Sequence, residues 1–512
     1  MVPPRLSIAT LPANLLGSVS GPALDVSTLS IGIVHFGIGA FHRSHQAVFT
    51  EDAAAATGET GWGILGVTGR TEAVVHQLRP QDCLYGVLQK DAVSTSLRII
   101  GSVREVVWPG RDSERVLEAM ASPSTHIASL TITEKGYLRA ADGTIDLGLP
   151  AVQHDLALVE HELTGESSPA ASHTAIGLLV RGLARRYRLN REPFTVLPCD
   201  NVVHNGAMLR MVVSSLAAAV TLDGSDSARD GWLRWLEESV ACPSTMVDRI
   251  TPAVTEADHE EAFGLLGLRD EALVVAEPFS QWVIEDHFAG PRPAWEKAGV
   301  IITDDVRPFE RAKLRILNSM HSLLAYLGVL KGHETIADAV GDASLRDVAR
   351  SIVDDDILPT LESPLGLHLE EYRDEVLKRF ANPSLAHTTL QVAMDGSQKL
   401  PNRILGTAED RLAAGHVPVG LAFVVAAWIL FIVSTLQPDG PPLDDPLADQ
   451  LVAAVGSADA IDVDAALVVA RVFSLREIFS PELGTSRAFQ AAVVSQFAAV
   501  RSLIAALPVS SR

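Results

Sequence analysis

The segment Lys313-Leu314-Arg315-Ile316-Leu317-Asn318-Ser319-Met320-His321-Ser322 sets a Lys, an Asn and a His among residues that pack. On an α-helix Asn318 lies about 140° and His321 about 80° from Lys313, so the three fit one broad sector. Leu314, Ile316 and Leu317 turn largely elsewhere and are free to pack inward. A Lys held beside apolar groups loses ammonium solvation, and its pKa falls toward that of a usable general base. An Asn amide donates to a developing oxyanion, and a His holds a substrate hydroxyl. Helix geometry alone leaves the trio open between this chemistry and ordinary solvated side chains.

A second candidate is Gly37-Ile38-Gly39-Ala40-Phe41-His42, which follows the apolar run 31 to 36. A strand, a G-x-G turn and a helix start let the backbone approach a pyrophosphate, which rests on free N–H groups at the helix N-terminus. His42 stands where the fingerprint has Gly or Ala, so on the motif alone a dinucleotide site and an ordinary βα turn stand level. The next apolar run ends Val67-Thr68-Gly69-Arg70, with no acid at its tip to bond the ribose hydroxyls of NAD. Arg70 could pair with a 2'-phosphate, so NADP stays open beside NAD, as does a solvated Arg70. His42 and His45 have no Cys or carboxylate at ligand spacing, so no metal site is expected. "IEDH" (284 to 287) reads as a charged turn, and Asp354-Asp355-Asp356 as an acidic run on a helix with no function assigned.

The elements that must position these residues fall into two patterns. "IGIVHFG", "WGILGV", "HIASLTIT" and "FTVLPCDN" are apolar runs of strand length separated by helix-length segments, which implies a parallel sheet covered on both faces. "ALVVAEPF" and "GVIITDDV" are candidates to extend it. From about Pro308 onward the chain is Leu/Ala-rich with helical spacing and no convincing strand. The expected class is α/β: a Rossmann-type cofactor-binding domain over 1–300 and an α-helical substrate domain over 301–512.

At 512 residues, with 47% hydrophobic residues, the chain has ample material for two cores, and disorder is excluded. Its 63 acidic residues against 41 basic give a net charge of -22, which repels phosphate backbones and anionic membrane surfaces. Three widely spaced cysteines, Cys83, Cys199 and Cys242, build neither a disulfide framework nor a metal knuckle, so a reducing cytoplasm is expected. No secretory signal is visible in the first residues, which Pro3, Pro4, Pro12 and Gly17 interrupt. The run from Val419 to Val433 is of borderline length for a bilayer and has an acidic C-terminal flank, so a buried core helix is expected.

"HFGIGAFHRSHQA", "TEKGY", "CDNVVHNG", "MVDRITP", "QWVIEDHFAGPRPAWEKAGV" and "KLRILNSMHS" occur in the order seen in the mannitol dehydrogenase family, which the chain resembles from about residue 30 to about residue 500. The resemblance implies a metal-independent enzyme that passes hydride between a nicotinamide cofactor and a secondary alcohol of a polyol or sugar acid. It makes Lys313 the general base, and Asn201 and Asn318 the amides that stabilise the alkoxide-like oxygen. His321 becomes the substrate-hydroxyl ligand, Asp248 an acid assisting proton movement and substrate contact, and Glu310 the acid near the proton exit. It also fills the turn at Gly37, Gly39, Ala40 and Phe41 with cofactor phosphate.

Where mannitol 2-dehydrogenases carry an Arg eight residues before the Lys that matches Lys399, this chain has Gln391. "QVAMDGSQKLPNR" looks more like the fructuronate reductase branch, which reduces a keto group of a hexuronate. Lys399 and Arg403 then become candidate partners of the substrate carboxylate. The expected substrate pair is D-mannonate and D-fructuronate, with mannitol or arabinitol oxidation the alternative. A non-catalytic nucleotide sensor would be expected to have replaced the Lys or the Asn. The chain is expected to be a monomer or small homo-oligomer that binds neither nucleic acid nor membrane.

Overall fold

A computed structural model describes residues 3–15, 17–166, 168–222, 226–364, 366–385 and 387–506. They form two compact units, Met1–Val306 and Arg307–Arg512. The division falls after Ile301–Thr303, a strand that pairs with Gln281–Glu285 and so belongs to the first unit.

The first unit is built on a six-stranded sheet in the order Val103–Val107, Gly63–Val67, Ile31–Phe36, Ile127–Leu130, Phe194–Pro198 and Val240–Ala241. Every pairing in it is parallel. That order is the doubly wound arrangement in which ligands sit at the C-terminal strand ends. Val34, Phe36, Leu65, Ala128 and Val196 pack one face, while Ile33, Ile64, Ile127 and Leu197 pack the other. Burial on both faces is why these runs read as continuous rather than alternating.

Two of the anticipated strands go elsewhere. Val274–Ala276 pairs with Tyr85–Lys90 in a separate four-stranded sheet. Ile301–Thr303 closes a three-stranded sheet with Gln281–Glu285 and Thr245–Asp248. An apolar run reports that a strand is buried, but not which neighbour it pairs with. "IEDH" begins inside a strand rather than forming a turn: Ile284 is fully buried, and Glu285 Oε2 accepts the Ser244 N–H at 2.9 Å.

Among the described residues the regular elements of the second unit are all helices, apart from one isolated bridge, Thr335 to Thr388. Its centre is Val419–Thr435, in which every residue from Leu421 to Val433 is buried. A helix apolar all round must be interior. It packs against Arg487–Ala505 and Ser319–Lys331. Arg487–Ala505 is itself long and apolar enough to cross a membrane by composition. The acidic run does structural work at the start of the core helix, where Asp356 Oδ2 accepts the Leu421 N–H at 3.1 Å, a favourable place for a carboxylate. Neighbouring Asp354 pairs with Arg373, and Asp355 accepts from Ser351 Oγ.

Three π-helical turns, Lys313–Asn318, Val353–Ile357 and Pro401–Leu405, occur among the described residues, all in this unit. The first packs against both others. Single π-turns inside α-helices concentrate at functional sites.

Candidate active site

In the first unit the G-x-G turn leaves Ile31–Phe36 and enters the short helix Ala40–Ser44. Gly37 has φ +91, and a Cβ there would lie 2.1 Å from the Thr131 carbonyl oxygen, so only glycine fits. Gly37 and Ile38 N–H groups donate to Val67 O at 2.8 and 3.1 Å, fastening the turn to the tip of the neighbouring strand. At Gly39, which is exposed, a Cβ would meet nothing nearer than Gly37 O at 3.8 Å. Gly39 caps the helix without a side-chain bond, so the first-turn N–H groups of Ala40 and Phe41 face outward with no intrahelical acceptor. This open cradle fits a dinucleotide phosphate. Arg70, just beyond Gly63–Val67, is exposed.

The departure at His42 has a structural answer. Its ring stacks on His35 with centroids 3.4 Å apart and planes 16° from parallel, and both residues are buried. Flat stacking lets the helix lie close to the strand, the task a third small residue otherwise performs. The Thr131 hydroxyl donates to Gly37 O at 2.8 Å, so its oxygen must accept His35 Nε2–H at 2.9 Å. His35 Nδ1 is then the acceptor for Ser129 Oγ–H at 2.8 Å. Burial pushes the His35 pKa down to about 3 and holds His42 well below its ordinary value, so both rings are neutral.

Asn201 and Asp248 are held by a shared network of the same unit. Asp200, buried at the end of Phe194–Pro198, accepts from Ile132 N at 3.0 Å, Thr133 N at 2.8 Å and Tyr137 Oη at 2.7 Å. These bonds pull the chain out of the sheet after Leu130, which is why "HIASLTIT" ends early as a strand. Asn205 Nδ2 donates to Asp200 O at 3.1 Å and Thr245 O at 2.9 Å, while Thr245 N donates back to Asn205 Oδ1 at 2.9 Å. Thr245 opens the strand that ends on buried Asp248. Asn201 thus sits one residue beyond a clamped Asp200, and its own side chain is exposed. The sequence assigns no role to Asp200, Asn205, Tyr137, His35 or Thr131; an acid directly before the Asn, at a strand's C-terminal end, is the available signal for the first.

In the second unit Glu310 lies in Arg307–Ala312, and Lys313 and Asn318 are the first and last residues of the π-turn. All three are buried, at 9%, 7% and 5% exposure, so these are not solvated side chains. The turn alters the expected geometry: i→i+5 bonding brings residues five apart closer into line than the about 140° of an α-helix. The hydroxyl of Ser319 helps accommodate it by donating to Arg315 O and, at 3.3 Å, to Ile316 O. His321 follows in Ser319–Lys331, its ring stacked 4.7 Å from Phe380 and tilted 5.5 Å from His387. Burial, then the neighbouring His387, Arg403, Lys399 and Arg379, keep it neutral, and its Nε2 is buried with no partner among the described residues.

Arg403, on the π-turn Pro401–Leu405, donates from Nη1 to Ser322 Oγ at 3.0 Å and to Asn318 O at 3.4 Å. Lys399 donates to Val392 O at 3.1 Å and to Met394 O, and burial lowers its pKa to about 8. Gln391 is exposed on Thr389–Ala393, and the structure gives its side chain no bond to Lys399 or Arg403. Among the described residues no three His, Cys, Asp or Glu groups gather as a metal site.

The sequence matches the profile of the mannitol dehydrogenase Rossmann domain over residues 31–297 and of the mannitol dehydrogenase C-terminal domain over 305–501. It is 41% identical over 485 residues to D-mannonate oxidoreductase of Escherichia coli (strain K12), covering 94% of this chain and 95% of that one. It is 37% identical over 420 residues to mannitol 2-dehydrogenase of Cereibacter sphaeroides, covering 82% and 84%. The structure of Pseudomonas fluorescens mannitol 2-dehydrogenase in ternary complex with NAD and D-mannitol superposes with a TM-score of 0.81 at 33% identity, covering 98% of each chain.

Proposed function

The chain belongs to the mannitol dehydrogenase family, and on that premise we propose that it is an NAD-dependent oxidoreductase acting on a secondary alcohol of a sugar acid, D-mannonate foremost. The observation that carries this is the buried π-turn with Lys313 and Asn318 at its two ends and a neutral His321 in the next turn. Bound nicotinamide supplies the hydride acceptor. Gly37, Gly39, Ala40 and Phe41 hold the phosphates through backbone approach and free N–H groups.

Lys313 takes the hydroxyl proton at Nζ as the carbinol hydrogen leaves with its electron pair. Asn201 and Asn318 donate amide N–H groups to the oxygen on which negative charge develops. His321, neutral, offers Nε2 to a neighbouring substrate hydroxyl, and Lys399, Gln391 and Arg403 complete substrate binding. Asp248 assists proton movement, and Glu310, three residues before the base, passes the proton outward. The protein works in the cytoplasm as a monomer or small homo-oligomer, in keeping with its three free cysteines.

A panel of D-mannonate, D-altronate, D-mannitol, D-arabinitol and D-sorbitol against NAD and NADP, followed by reduced-nicotinamide absorbance, tests this reading. D-Mannonate with NAD should give the highest kcat/KM. Turnover of D-mannitol without D-mannonate would replace the sugar acid by a polyol, and no turnover of any would refute the reaction.

A further inference from the structure

Arg403 is half-buried, and how its guanidinium is satisfied sets it apart from the buried Arg186 and Arg249. Arg186 uses Nε, Nη1 and Nη2 on the carbonyls of Glu192, Met120, Ser122 and Pro193. Arg249 spends Nε and Nη2 on Glu277 O and Nη1 on Ser44 O. Both are saturated by backbone and have nothing left to offer a ligand. Arg403 is different: Nη1 makes its two bonds, to Ser322 Oγ and Asn318 O, while Nε and Nη2 donate to no acceptor among the described residues. Neither atom is sealed in the interior, and among the described residues no carboxylate lies within ion-pair distance of the group. A half-buried guanidinium whose fork is unused and open is a ready partner for an arriving anion.

Its surroundings are arranged for the same visitor. Lys399, Arg379 and His387 lie near enough to His321, together with Arg403, for their fields to disfavour a charge on its ring. Lys399 is the less suitable anchor, because two of its three N–H directions are already given to Val392 O and Met394 O. Its retained role is hydroxyl or general electrostatic contact.

Resting on the reading that this is a dehydrogenase of the family, we infer that Arg403, through Nε and Nη2, binds the carboxylate of an open-chain sugar acid and that Lys399 does not. A planar fork accepting two carboxylate oxygens discriminates a carboxylate from the hydroxymethyl end of a polyol. The substrate class is therefore fixed from the same π-turn that touches the backbone of Asn318.

The test compares kcat/KM for D-mannonate and for its neutral carboxamide in the full-length enzyme with NAD. The acid-to-amide ratio, which is insensitive to the amount of folded enzyme, should fall by about 10- to 100-fold in Arg403→Met, the worth of a charge-assisted pair. Arg403→Lys should restore part of the ratio, as a point charge without a fork. Lys399→Met should leave the ratio within about threefold of wild type, whatever it does to both rates. A ratio unchanged in Arg403→Met, or collapsing in Lys399→Met instead, overturns the inference while leaving the dehydrogenase reading intact. If wild type oxidises only neutral polyols, the sugar-acid reading and this inference fall together. If it oxidises neither compound, calorimetric binding of acid and amide in the presence of NAD carries the same comparison, and equal binding of the two by wild type overturns the inference.

Discussion

The G-x-G turn of the first unit and the π-turn of the second answer opposite demands. At Gly37 to Phe41 the proposed working groups are backbone N–H, so glycines stand at 37 and 39, and the supporting network of buried His35, His42 and Ser129 with half-buried Thr131 is neutral beneath the turn. At Lys313 to Asn318 the proposed working groups are side chains, which the rewound helix presents, and other side chains such as Ser319 and Arg403 satisfy the displaced carbonyls. Backbone chemistry demands particular φ angles and close approach; side-chain chemistry demands register. Perturbations should therefore act differently at the two places.

Deleting Ser319, just after the turn, should have the largest effect on turnover. With one residue fewer the helix can close i→i+4 bonds, so the fold should survive in circular-dichroism melts while Lys313 and Asn318, still five apart, move to about 140° from each other and turnover falls below detection. An active deletion variant would show that register is not what the π-turn provides. Lys313→Ala should lower kcat by about 10²- to 10⁴-fold with the NADH dissociation constant nearly unchanged, as measured by fluorescence titration. Wild-type kcat in that variant would remove Lys313 as the base.

Gly37→Ala should act in the reverse sense, on stability and cofactor affinity together. An L-residue at φ +91 carries strain of about 1–3 kcal/mol before its Cβ meets the Thr131 carbonyl, so the melting temperature should fall and NADH binding weaken. An unchanged melt would mean that the turn relaxes freely.

Buried His35 gives the first unit a pH signature of its own. With His35 at about 3 in the folded chain and an ordinary value of 6.5 in the unfolded one, the unfolded state binds more protons between those limits. This contribution to stability is complete above pH 6.5 and is lost progressively toward pH 3. Denaturant unfolding at stepped pH should therefore show a shallower acid slope for His35→Gln than for wild type; equal slopes would exclude the linkage. The smallest change is expected at exposed Arg70: Arg70→Ala should leave kcat/KM with NAD within about twofold, as for most surface substitutions, and any loss should be confined to NADP.

The sequence displayed the parallel strands, the helical second half, the G-x-G turn and the Lys-Asn-His spacing, because each is a local pattern in residue type. The apolar run 419 to 433 announced a core helix for the same reason, and Leu421 to Val433 are buried. What stayed hidden was pairing and support. Val274–Ala276 and Ile301–Thr303 look like members of the main sheet until their partners are seen. Asp200 and Asn205 look like loop residues until their bonds to Thr133, Tyr137 and Thr245 appear. Asp356 looks like a solvated acid until it meets Leu421 N.

By itself, then, the sequence determined which residue types stand where chemistry is possible and which segments must be buried, since composition and period are properties of the chain. Tertiary structure alone decided that Lys313 and Asn318 share a π-turn rather than an α-turn, that His42 substitutes a stacked ring for a small residue, and that Arg403 keeps half of its fork unused. The turn and the fork are joined across a long stretch of sequence by Arg403 and Asn318, and the His35 ring that carries the stack is held by distant Ser129 and Thr131, so no local pattern encodes these contacts.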